Sequence, residues 1–84
     1  MTKQTSPAAV TSRIADEVRA EMARQKKTGA ELAAVLGITQ HTVGRRLNGA
    51  TPFNMIELIL VAAWLGISLG ELIRRAETPL AVAS

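Results

Sequence analysis

Five basic side chains, Arg24, Lys26, Lys27, Arg45 and Arg46, lie between residues 24 and 49 against one carboxylate, Glu31, a local surplus of four positive charges. Cations gathered in this way are the footprint of a phosphate-binding face. The net charge of the 84 residues is only +3, so placement carries the signal and the total does not. Other chemistry finds little support. The chain has one histidine, no cysteine and scattered carboxylates. No Ser/His/Asp or Cys/His set, metal-ligand cluster or phosphate-cradling glycine loop is present. His41 has no implied nucleophile or carboxylate partner and reads as a polar contact or a solvent-exposed spectator. The expectation is a protein that is not an enzyme, with no cofactor, no metal and no small-molecule ligand.

The basic cluster surrounds the segment TGAELAAVLGITQHTVGRRLNG, which reads as two short helices joined by a glycine turn, a helix-turn-helix. Thr28 with Glu31 is a capping box, and Leu32, Ala33 and Leu36 give the first of these helices an apolar face. Gly37 supplies the positive-φ residue that ends it. Thr39 caps the next helix, on which Val43 and Leu47 lie one turn apart. Helices this short need a surrounding domain, and the remaining sequence predicts one without strand alternation. A first helix is expected from about Ser12 to Gln25, with Ile14, Val18 and Met22 as its buried stripe. Asn54 with Glu57 opens a fourth helix that closes at Gly66. Ser68 with Glu71, stapled by Ile67 and Leu72, opens a fifth that ends near Ala76 or Glu77, before Thr78-Pro79. The predicted fold is all-α: a compact five-helix domain over residues 11–77, with the helix-turn-helix at helices 2 and 3. Residues 1–10 form a flexible arm broken by Pro7, and residues 78–84 a short tail. The lack of cysteine, of a signal-peptide apolar core and of an apolar run long enough to span a bilayer makes a cytoplasmic setting the expectation, with no membrane partner.

The residues ELAAVLGITQHTVGRRLNG and PFNMIELILVAAWLGISLGEL, in this order and spacing, resemble the lambda-repressor/Cro-like (xenobiotic-response-element type) DNA-binding domains over roughly residues 12 to 75. Gly37 and Ala33 match the small positions at which that family brings its two motif helices together. The resemblance implies a recognition helix over residues 40–48 in the major groove, with Gln40, His41, Gly44, Arg45 and Asn48 toward base edges. Gln can bond adenine N6 and N7, and Arg can bond guanine O6 and N7, each with two hydrogen bonds. Thr28, Lys26, Lys27, Thr39, Thr42, Arg46, Thr51 and again Asn48 are placed for phosphates. Gly29 stands where many members carry Gln, Lys27 where an apolar residue is common, and Arg46 where the position is often apolar. The implied function is a sequence-specific double-stranded-DNA-binding regulator of phage or mobile-element repressor type, dimeric at least on DNA, on a palindromic operator. Lys3 and Gln4 of the arm would extend the contact.

Helix four is apolar all round, which in a small domain points to pairing. Met55, Leu58, Ile59, Ala62 and Leu65 are expected to be its buried face. Ile56, Leu60 and Trp64, with Leu69, Ile73 or the tail Leu80-Ala81-Val82, are then expected to form a homodimer or partner surface. Such a surface also admits two other readings: the DNA-binding antitoxin of a toxin–antitoxin pair, or an antirepressor-like interaction module on the same fold.

Overall fold

Ser6 opens the first helix. Its hydroxyl accepts the Ala9 amide at 3.1 Å, and Pro7 takes the first helical position, where its missing N–H costs nothing. The computed structural model describes the backbone of residues 6–82 and the side chains through residue 77. Lys3 and Gln4, and the side chains of Leu80, Ala81 and Val82, lie outside the described residues. Five helices follow in order: α1 Pro7–Arg24, α2 Gly29–Leu36, α3 Gln40–Leu47, α4 Met55–Leu65 and α5 Leu69–Val82. The described residues contain no strand. Two boundaries differ from expectation, both at prolines. Pro7 starts α1 more than a turn before Ser12, so residues 7–10 belong to a helix. At the other end α5 runs through Pro79, whose ring removes one backbone donor while its own φ suits a helix.

The caps form as the residue types dictate. Thr28 and Glu31 make a complete capping box on α2, and Asn54 and Glu57 make one on α4. Gly37 and Gly66 end α2 and α4 in the left-handed region at φ 68° and 75°. The third box is only half made. The Ser68 hydroxyl accepts the Glu71 amide, but the Glu71 carboxylate turns to Arg74 and Arg75 instead. α1 ends without glycine: Lys26 takes φ 56°, a conformation that costs a residue with a Cβ about 1–2 kcal/mol.

α1 packs against α3, α4 and α5, and α2 against α3 and α4. Val18, Leu32, Val43, Val61 and Leu72 are the largest fully buried side chains, each worth about 1.5–3 kcal/mol. Phe53, in the α3–α4 connection, is also buried in this core. On α1 the buried stripe is Ala15, Val18 and Met22, with Ile14 only half-buried. The larger correction concerns α4. Its buried face is Leu58, Val61, Ala62 and Leu65, while Met55 and Ile59 are 62% and 50% exposed. Placing Val61 at the centre rotates Met55 and Ile59 outward to join Ile56 and Leu60.

Three carboxylates are held below their ordinary range. Gln25, Arg24 and Arg75 do this for Glu21, and Arg46 with the Asn54 amide for Glu57. Arg74 and Arg75 bring Glu71 from 4.5 to about 2. Because the unfolded chain takes up these protons first, the three groups stabilise the fold fully above the ordinary value. That contribution is lost as pH falls through the folded values. Melting followed by circular dichroism should therefore show a plateau near neutrality and a decline below pH 4.5 toward about 2, shallower in Glu71→Gln.

Candidate nucleic-acid interface

Gln40, His41, Gly44, Arg45 and Asn48 recur along α3 at i, i+1, i+4, i+5 and i+8, and all five are exposed. Helical periodicity therefore brings these residues onto one face. The opposite side is fixed by Val43, which is buried, and by Leu47, which packs on the core. Thr39 sets the start of the helix by accepting the Thr42 amide at 3.1 Å. Among the described residues the side chains of Gln40, His41 and Arg45 have no hydrogen-bond partner, so their donors and acceptors are available. Asn48 is partly committed, since its Oδ1 accepts the Ala50 amide at 2.8 Å and shapes the turn after α3. That turn continues through Gly49 at φ 81°, where a Cβ would lie 3.4 Å from the Ser12 hydroxyl of α1.

The residues expected to hold phosphates separate into two groups. Lys26 is exposed with no carboxylate beside it, and Thr42 retains a hydroxyl hydrogen, because its oxygen accepts from Thr39. Thr28 and Thr39 use their hydroxyls internally, toward Glu31 and Thr42. Thr51 is half-buried, its amide donating to the Arg45 carbonyl at 3.2 Å.

Lys27 and Arg46, also expected at phosphates, have partners within the fold. Lys27 Nζ donates to the Trp64 carbonyl at 2.7 Å and stands 4.6 Å from the centre of the Trp64 ring. The last carbonyls of α4 lack helical partners and attract a cation. Gln25 serves the adjacent one, donating to the Leu65 carbonyl at 2.7 Å. Arg46 turns to Glu57, with Nε 2.9 Å from Oε1 and Nη2 3.2 Å from Oε2. Arg24 pairs with Glu21. Of the five cations only Lys26 and Arg45 remain exposed without a partner among the described residues, a lighter footing than the charge cluster suggested.

The surface set changes as well. Ile56 and Leu60 are exposed, at 71% and 39%, but Trp64 is half-buried under Lys27, and Leu69 and Ile73 are half-buried on α5. The exposed apolar face of α4 is thus Met55, Ile56, Ile59 and Leu60. Sequence patterning missed the Arg46–Glu57 pair and the Gln25 and Lys27 contacts. Each joins residues far apart in the chain, and no local spacing encodes them.

The family model of the BetR domain matches residues 6–81, nearly the whole chain. The match supports a small helical domain of DNA-binding type, without specifying the lambda-repressor/Cro kind. No curated protein and no solved structure matches significantly.

Gly44 has open space on its exposed side: a Cβ there would meet nothing within 4 Å. Packing inside the protein gives no reason for glycine in mid-helix. Gly44→Ala should raise stability to urea by about 1 kcal/mol, the propensity difference between the two residues. It should weaken duplex binding if the backbone here approaches DNA closely.

Proposed function

The chain belongs to the BetR-domain family, and from that premise we propose that it is a sequence-specific double-stranded-DNA-binding transcription regulator. In this reading α3 enters the major groove. The observation that carries it is the exposed row Gln40, His41, Gly44 and Arg45, on a helix whose other face is locked into the core. Gln40 and Arg45 are the residues with two-point complements on adenine and guanine edges. Gly44 between them leaves room for the helix to lie close to the bases. Lys26 and Thr42 hold phosphates at the rim. In this reading the protein acts by occupying an operator and so obstructing or redirecting transcription.

A second copy of the chain completes the reading. The outward face of α4 carries Met55, Ile56, Ile59 and Leu60 and no charge, so identical faces meet without repulsion. Four partly exposed side chains amount to a few hundred Å², on the order of the largest patch on a monomer. A standard interface buries about 800 Å² per partner. The dimer is therefore weak in solution and forms on a palindromic site, where the DNA aligns both copies. An antitoxin or antirepressor would instead use this face for a different protein.

Selection from a random duplex library, with Arg45→Ala in parallel, tests the DNA reading. The expected outcome is an inverted repeat in which the variant loses preference at one base pair per half-site, by about 1–3 kcal/mol. Equal, unselective binding by both proteins would refute it. For the second copy, sedimentation on the selected duplex should show two molecules bound by the wild type and one by Leu60→Glu at the same concentration. Two bound copies of Leu60→Glu would exclude this face as the interface.

A further inference from the structure

The Arg46–Glu57 fork is the only hydrogen-bonded link between α3 and α4 among the described residues. No Cα of α3 lies within 8 Å of a Cα of α4, so these two helices are joined by long side chains and not by close backbone packing. The anchor on the α4 side is rigid. Glu57 Oε1 also accepts the Asn54 amide at 3.0 Å, and the Glu57 amide donates to Asn54 Oδ1 at 2.8 Å. Both ionic side chains are largely out of solvent, at 17% and 10% exposure.

A guanidinium–carboxylate fork is directional, because two parallel hydrogen bonds are lost together when either group turns. Arg46 follows Arg45 directly and sits six residues after Gln40. Fixing Arg46 therefore adds to the packing of Val43 and Leu47 a directional restraint on the rotation of α3 about its own axis, and with it on the direction in which Gln40 and Arg45 project. Two-point base contacts need their side chains held within roughly 0.5 Å of the productive position. We propose that the Arg46–Glu57 fork is the positioning device of the reading helix, and that Glu57, on the helix behind, is a specificity-determining residue. Arg46 serves here through Glu57 and does not neutralise a phosphate.

The proposal rests on the DNA reading, and two variants with two readouts separate their failures. Glu57→Gln keeps a side chain that serves at this position of a capping box, so α4 still starts correctly, while the ionic fork is lost. Arg46→Lys keeps the charge and removes the two-point geometry. The first readout needs no DNA. In Glu57→Gln, amide hydrogen exchange should rise within α3, at Val43 and Leu47, and stay unchanged in α1 and α5. Unchanged exchange in α3, or an equal rise in all helices, would overturn the positioning role.

The second readout is base preference on the site selected by the wild type. Both variants should lose discrimination at the pairs read by Gln40 and Arg45 by about five-fold or more, with the salt dependence of binding unchanged. A wild-type preference profile in both variants would overturn the proposal. So would tighter and more salt-dependent binding by Glu57→Gln, since that is Arg46 released onto a phosphate. If the wild type selects no sequence, the DNA reading fails while the exchange measurement still decides the fork.

Discussion

Glu57 is the one buried charged residue among those described, and a carboxylate in so small a core is tolerated only if both of its oxygens find donors. The Asn54 amide and the Arg46 guanidinium supply those donors. Much of the architecture follows from satisfying this group. Asn54 must sit at the head of α4, which sets the α3–α4 connection and carries Phe53 into the core. Arg46 must face inward late in α3, which leaves its neighbours Arg45 and Gly44 outward. One side chain thus serves as helix cap, interhelical tie and rotational stop for the exposed row.

The opposite end of α4 is held by the same logic with the signs reversed. Carbonyl oxygens left over at Trp64 and Leu65 receive Lys27 and Gln25 from the segment between α1 and α2. Gln25 is held in turn by Glu21, which also accepts Arg75 of α5. The left-handed turn at Lys26 belongs to this arrangement, because it ends α1 where Lys27 can reach across to α4. A strained, non-glycine residue at that point also leaves one ammonium exposed beside the motif. α4 is therefore tied at both ends by polar contacts and buried along one stripe. Its outward face carries only apolar side chains.

Local chemistry makes most of this fold legible in the sequence. Capping boxes at Thr28 and Asn54, glycines at 37 and 66 and the Thr39 cap are relations within four residues, so spacing alone reveals them. The exposed row on α3 was legible for the same reason, since Val43 and Leu47 fix the inner side and periodicity gives the outer. What escaped was whatever depends on distance in the chain. A basic residue near the motif reads identically whether it faces phosphate or a carboxylate eleven positions away, as Arg46 does. Lys27 has its reason in the α4 carbonyl it reaches, a contact that its neighbours in sequence do not announce. On α4 itself nearly every residue is apolar, so the pattern held no information about which of Ile59 and Val61 faced the core. The two prolines are poor guides to the helix ends, since Pro7 starts a helix and Pro79 lies within one.

Turning two of the five cations inward, with a third paired to Glu21, has a consequence for how such a domain can bind. Affinity that comes from neutralising phosphates is shared by all sequences and grows with the number of contacts. A domain with few free cations forgoes much of that unselective binding, and under the proposed reading a single copy would have only a short row of base contacts to hold it. Two copies on one duplex change the balance, because the second binds at the high effective concentration set by the first. The charge placement and the uncharged α4 face thus favour the same behaviour. Under the proposed reading, weak single domains would release random DNA readily, and retention would require two correctly spaced half-sites. In that proposed regime the accuracy of each reading helix would matter more than the strength of its grip, and a buried fork behind α3 would serve it better than one more phosphate contact at Arg46.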